Sequence, residues 1–234
     1  MSGVYIISAP SGSGKSTLVD RVRLLVPGLK FSISYTTRAP RAGEQNGREY
    51  YFVPRSEFEE MIRQDKFLEH AEVFGNYYGT ARRFQGEAEE EGKDLLLDID
   101  VQGAGQIKRR IPEAASIFIL PPDRRELEKR LRTRSLDAEE VIQRRLVTAS
   151  REIENYEKYD YILINDRLEE SIDALKSILL AERLKRSGAQ EQEPRSADDT
   201  NLMAQAERWR LNHVRERLQP ILASFEKAAA PGGR

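Results

Sequence analysis

The sequence predicts an α/β fold with a parallel core sheet flanked by helices. Three observations lead there. Short apolar runs alternate with helically spaced segments, the runs are continuous rather than alternating, and the first run leads straight into a glycine-rich turn and a helix. Val4–Ser8 is that first run, and Ser16–Val26 follows with Leu18, Val22, Leu25 and Val26 at helical spacing. Leu95–Ile99, Ser116–Leu120 and Tyr161–Asn165 have the look of buried parallel strands, the second stopped by Pro121-Pro122. Between them the spacing predicts helices over Arg124–Arg134, Ala138–Tyr156 and Glu169–Leu184. Ser32 to Phe84 breaks the alternation. It is rich in Tyr, Thr, Gly and Arg, has strand-like pieces at Tyr50–Pro54 and Phe67–Phe74, and reads as a small, mostly β insertion. After Arg186, Ser187–Thr200 reads as a polar linker with Gly188 and Pro194. Leu202, Ala206, Trp209, Leu218, Leu222 and Phe225 then predict an extra amphipathic helix, kinked or restarted at Pro220, with a frayed end at Pro231–Arg234.

Bulk properties narrow the function classes. A length of 234 residues suits one α/β domain with an appendage, or two small domains. The formal net charge of -1 provides no basic field for a bulk polyanion, so no nucleic-acid partner is expected and anion binding must come from local clusters. The absence of cysteine excludes disulfides and thiolate metal sites, and His70 and His213 alone argue against a multi-histidine metal centre. Met1–Tyr5 has no basic leader and nothing approaches a membrane span, so the expectation is a soluble, cytoplasmic chain with no membrane partner.

The turn after the first strand reads Ala9-Pro10-Ser11-Gly12-Ser13-Gly14-Lys15-Ser16-Thr17. This is a Walker A phosphate loop with Ala9 where the pattern has Gly. Gly12 and Gly14 let the backbone curl so that successive N–H groups face phosphate oxygens, and the helix beginning near Ser16 adds its positive end. Lys15 supplies a mobile charge for β- and γ-phosphates, and the Ser16 hydroxyl is placed for Mg²⁺. The loop alone establishes nucleotide binding and leaves the reaction open.

A second cluster reads Ser34-Tyr35-Thr36-Thr37-Arg38-Ala39-Pro40-Arg41-Ala42-Gly43-Glu44. Two arginines three apart among hydroxyls can clamp a second phosphate, although such a run in isolation can also be a solvated basic turn. Gly47-Arg48-Glu49-Tyr50-Tyr51-Phe52, Glu69-His70-Ala71-Glu72, Gly75-Asn76-Tyr77-Tyr78-Gly79-Thr80 and Asp98-Ile99-Asp100-Val101-Gln102-Gly103 follow in order. Together these motifs resemble the guanylate kinase family, from about Gly3 to about Lys185. Ala9 fits, since that family often has another small residue there, and Thr80 stands where some members have Ser.

The resemblance implies a P-loop kinase of about residues 1–185, with a GMP-binding insertion at about 34–84 and a helical lid at about 124–157. It implies transfer from ATP, with Mg²⁺, to GMP. Arg38, Arg41, Tyr50 and Tyr78 would hold the GMP phosphate, and Ser34, Glu69, Thr80 and Asp100 would read the guanine edge. Guanine presents N1–H and N2–H₂ donors that adenine lacks in that arrangement. A carboxylate at Glu69 would pair with guanine and be left unpaired by adenine, at about 1–3 kcal/mol or more.

Leu95-Leu96-Leu97-Asp98-Ile99-Asp100 puts acids at the carboxyl end of a strand, where ligands bind in open α/β sheets. Asp98 and Asp100 alternate, so they share one side of an extended strand and can orient Mg²⁺-bound water or the acceptor. Arg130 and Arg134 are four apart and share a helix face. The family places them and Arg145 in the lid over ATP, where, with Lys15 and Arg38, they would supply the positive charge that phosphoryl transfer needs. By resemblance Asn165 lies near the adenine ring. Two other readings stand beside the enzyme: a non-catalytic binding module of guanylate-kinase shape, and a P-loop kinase for another small phosphorylated acceptor. The segment after Arg186 lies beyond the resemblance; its helix can pack on its own domain, self-associate into a homo-oligomer or meet a partner.

Overall fold

The structure, a computed structural model, describes residues 2–73, 75–134, 138–187 and 196–226. In chain order the elements are β1 (Val4–Ser8), α1 (Lys15–Leu25), β2 (Leu29–Phe31), β3 (Tyr35–Thr36), β4 (Tyr51–Phe52), α2 (Arg55–Arg63), β5 (Phe67–Val73), β6 (Asn76–Ala81) and α3 (Arg83–Glu90). They continue with β7 (Asp94–Asp98), α4 (Val101–Arg110), β8 (Ala115–Leu120), α5 (Arg124–Arg134), α6 (Glu139–Ile153), a 3₁₀ turn at Tyr156–Lys158, β9 (Tyr161–Ile164), α7 (Leu168–Arg186), α8 (Ala197–Glu207) and α9 (Leu211–Glu226). Five strands pair in the order β2-β7-β1-β8-β9, and both end pairs run parallel, Leu29 beside Asp94 and Ile117 beside Tyr161. The continuous apolar runs are buried throughout β1 and β8, as two-sided coverage requires.

Two compact units divide the chain, residues 1–6 with 28–115 and residues 7–27 with 116–234. In the first, a four-stranded sheet ordered β4-β3-β6-β5 occupies the region expected to be mostly β. Phe58 of α2 stacks on Phe67 at 4.4 Å and on Tyr77 at 5.3 Å, which gives that small sheet a core of its own. The helices α2, α3 and α4 and the short strands β2, β3 and β6 went beyond the sequence pattern. Two of these strands are only two or three residues long, and α4 contains Gly103 and Gly105, so neither periodicity develops.

Two expectations change here. Asp100 has left the strand. Its Oδ1 accepts the Gly103 N–H at 2.8 Å, which makes it the N-cap of α4. The expected C-terminal helix is two helices, broken at Arg208–Arg210 rather than at Pro220.

The break in the second unit has a physical reason. The turn between α8 and α9 forms an isolated antiparallel bridge to β9 at Arg210, opposite Tyr161: Ile162 N–H donates to Trp209 O at 2.9 Å and Leu211 N–H to Asp160 O at 3.2 Å. This covers the sheet edge, and Arg210 stacks on the Tyr161 ring at 4.3 Å while its Nη2 pairs with Glu182 at 3.1 Å. Pro220 is exposed and sits inside α9, whose inner face buries Val214, Leu218, Ile221 and Phe225 at helical intervals. The Ser224 hydroxyl accepts the Arg124 N–H at 3.1 Å, so α9 also holds the start of α5. The segment thus packs on its own chain. Gly188, Pro194 and most of the expected linker lie outside the described residues, as do Phe74 and the expected frayed end.

Candidate functional site

The glycine-rich loop that follows β1 lies in the second unit, and its backbone takes the shape the sequence demanded. Gly12 and Gly14 have φ of 93° and 88°, in the left-handed region that favours glycine. The Ser13 N–H closes a turn on Pro10 O at 3.1 Å, and α1 begins at Lys15 with Gly14 as its cap. A helix start following such a turn presents unpaired N–H groups and a positive dipole end to an anion. Lys15 and Ala9 are half-buried, Pro10 and Ser13 are buried, and Ser11, Ser16 and Thr17 reach solvent. The Ser13 hydroxyl is buried without a hydrogen-bond partner.

Asn165, at the end of β9, fastens this loop from behind. Its Nδ2 donates to Ser13 O at 2.7 Å, and a Cβ added at Gly14 would lie 2.4 Å from the same nitrogen. The structure thus puts Asn165 against the backbone of the glycine-rich loop, whose shape it buttresses. Arg130 on α5 donates through Nη2 to Asn165 O at 3.1 Å and through Nε to Glu126 at 3.0 Å. Arg145 on α6 donates to the Ser11 hydroxyl at 2.8 Å, so that cation is already at the loop. Arg134 is the last residue of α5, and its side chain lies outside the described residues. Arg132 ties two helices together, binding Glu128 on its own helix and Glu139 on α6.

The first unit brings together two groups of the expected residues. One is a cation held in an aromatic frame. Arg38 Nη2 meets both Glu44 oxygens at 2.9 Å, and the Arg41 backbone N–H donates to Glu44 at 2.7 Å. The Arg38 guanidinium lies 5.4 Å from the Tyr50 ring, which meets the Tyr78 ring edge-on at 5.9 Å. Partial burial opposes ionisation of Glu44, yet the Arg41 N–H and Arg38 hold its carboxyl below the usual range. Glu44 thus fixes the fork of Arg38 and the turn bearing Arg41, whose side chain is exposed. The sequence reading gave Glu44 no role, although a carboxylate just after two arginines was its signal.

The other group is a buried carboxyl. Glu69 on β5 is 4% exposed and faces Thr80 in the β5–β6 register. The Thr80 hydroxyl donates to Glu69 Oε1 at 2.7 Å. Burial pushes the Glu69 carboxyl up to about 7, against the pull of the Thr80 bond, and the charge of Asp100 adds to the rise. Gly103 makes the close approach possible, since a Cβ there would lie 2.4 Å from Glu69 Oε2. Such a pair, a carboxylate beside one hydroxyl, suits a planar base edge with adjacent N–H donors. Asp98 closes β7 half-buried, and Ser34 lies just before β3, half-buried, with its carbonyl accepting the Tyr51 N–H at 2.9 Å.

Among the described residues, no group of three or more His, Asp or Glu side chains could hold a metal ion, and no helix is long and apolar enough to cross a membrane.

Comparison with known proteins agrees with this geometry. The family model described as guanylate kinase matches residues 1–182. A guanylate kinase of Koribacter versatilis is 56% identical over 235 residues, 99% of each chain. One from Escherichia coli K12 is 50% identical over 186 residues, 79% of this chain and 90% of that one. The crystal structure of guanylate kinase from Anaplasma phagocytophilum superposes with a TM-score of 0.66 at 36% identity, covering 81% of this chain and 92% of that one.

Proposed function

The chain belongs to the guanylate kinase family, and from that premise we propose that it transfers the γ-phosphoryl group of ATP to GMP, giving ADP and GDP. The observation that supports this acceptor best is the buried Glu69–Thr80 pair. An ionised Glu69 accepts from guanine N1–H and N2–H₂, and with adenine it would be left without those donors in a buried site. Arg38, oriented by Glu44, and Arg41 take the GMP phosphate, with the Tyr50 and Tyr78 hydroxyls beside them. Ser34 and Asp100 complete the reading of the base; Asp100 has one oxygen engaged as the α4 cap. Asp98, at the end of β7, is available to orient the acceptor.

ATP is held by the backbone of Ala9–Thr17 and by Lys15. Phosphoryl transfer asks little covalent chemistry of the protein, so positive charge around the migrating group does most of the work. Lys15, Arg38, Arg134 and Arg145 provide it. The bond from Arg145 to Ser11 supports a place for that arginine at the loop. The exposed Ser16 hydroxyl at the first turn of α1 would hold nucleotide-bound Mg²⁺, and among the described residues no carboxylate cluster offers an alternative site. When bound the ion neutralises phosphate charge. A cytoplasmic location goes with this reading, because both substrates are intracellular nucleotides. The binding-module alternative loses ground to the intact loop, with Lys15 and Ser16 present, and to Arg145 at Ser11.

The test is a coupled assay of ADP formation with GMP, AMP and dTMP as acceptors. GMP should be preferred by at least about two orders of magnitude in kcat/KM. Turnover of AMP or dTMP at the GMP rate would overturn the assignment of the acceptor, and no turnover of any of the three would favour the binding module.

A further inference from the structure

We propose that Gln106 and Arg110 are positioning residues for guanine recognition: from α4 they grip the backbone of β5 on both sides of Glu69 and so fix where that carboxylate stands. The inference rests on the reading of Glu69 given above and deepens it. β5 is the outer strand of its sheet, so among the described residues one side of its backbone has no strand neighbour. The β5–β6 register also shifts between Phe67 and Glu69. Such an irregularity loosens the ladder and re-aims the side chains beside it. The residue most dependent on its aim thus stands where the sheet holds it least.

Side chains of α4 make up the difference. Gln106 Nε2 donates to His70 O at 2.7 Å, and its Oε1 accepts the His70 N–H at 3.2 Å. The Gln106 amide presents a donor N–H and an acceptor oxygen to His70, as a peptide unit would, so Gln106 stands in for a residue of the missing strand. Arg110 Nη1 donates to Phe67 O at 2.9 Å and to Leu68 O at 2.7 Å. Residues 67, 68 and 70 are therefore all held from one helix. That helix begins at the Asp100 cap and lets Glu69 approach at Gly103. Asp100, Gly103, Gln106 and Arg110 follow at steps of three and four, which is one face of a helix. The element that caps itself with one guanine-facing acid thereby sets the place of the other.

Gln106→Leu keeps the bulk and removes both bonds to His70. KM for GMP should rise about tenfold, as expected when a recognition group is loosened by a fraction of an ångström. The kcat at saturating GMP and KM for ATP should stay within about twofold, and preference for GMP over AMP should fall. Gln106→Glu, which keeps the acceptor for His70 N–H but sets an oxygen against His70 O, should move the same constants in the same direction and serves if the first variant does not fold. A variant with a lowered melting temperature but unchanged KM for GMP and unchanged preference would show a purely structural contact and overturn the proposal. A uniform loss of kcat would overturn it equally. Glu69→Gln is measured alongside. If it keeps the GMP constants, the reading of Glu69 fails; if it loses them while Gln106→Leu and Gln106→Glu do not, only the positioning role fails.

Discussion

The glycine-rich loop of the second unit and the Glu69–Thr80 cluster of the first, which we propose bind phosphate and guanine, are built by opposite means. The loop is built from backbone. Two left-handed glycines, a helix start and one buttressing amide shape it, with Lys15, Ser16 and the Arg145–Ser11 bond adding side-chain chemistry. The cluster is built from side chains that come from β5, β6, the loops around β3 and β4, and the start of α4, each needing a second residue to aim it: Glu44 for Arg38, Thr80 for Glu69. A backbone cradle tolerates neighbours of many kinds and reads only phosphate. A side-chain cluster can read a base, and it depends on every support.

The largest effect that would sharpen this contrast comes from Lys15→Ala. It should lower kcat by about 10²–10³-fold, because a positioned charge at a dry phosphate site is lost. GMP affinity, followed by titration calorimetry, should stay within about twofold. A matching loss of GMP affinity would break the separation of the two regions. Glu44→Gln comes next. It keeps the shape but removes the charge that orients Arg38, and KM for GMP should rise about tenfold with KM for ATP unchanged. Were KM for GMP unmoved, Glu44 would be no more than a turn residue.

A smaller effect follows from the Glu69 carboxyl, which burial pushes up to about 7. On the proposed reading guanine pairs with the ionised form, so KM for GMP should fall several-fold as pH rises from 6 to 8. Glu69→Gln corrects for the titration of the GMP phosphate, and its profile should lack the Glu69 component. Stability runs the other way. The folded state holds this proton more tightly than an unfolded chain near 4.5, so the group's contribution falls as pH rises from about 4.5 to 7.

The contrast also explains what could be read from sequence. The course of the loop was legible because positive φ favours glycine, at Gly12 and Gly14, and because the helix pattern begins beside Lys15. The long buried strands and helices were legible to within a residue or two at most ends; Val4–Ser8 and Arg124–Arg134 match their elements. The cluster came into view only through motif resemblance, since no spacing brings Glu69 opposite Thr80 without knowing the β5–β6 register. Gly103, Gln106 and Arg110 stayed hidden for the same reason: they act on a strand more than thirty residues away in sequence. Pro220 misled because an exposed proline can be carried by a helix whose other face is well buried, whereas the break at Arg208–Arg210 comes from pairing with β9.

The central claim is that the Glu69 carboxylate recognises guanine within the first unit and that ATP is held by the loop of the second. Calorimetric titration of GMP alone and of Mg²⁺–ATP alone into the protein and into Glu69→Gln at pH 8 tests it directly. The prediction is a loss of GMP affinity of tenfold or more, at about 1.4 kcal/mol per tenfold, with ATP affinity unchanged. Equal GMP affinity in the two proteins would contradict it.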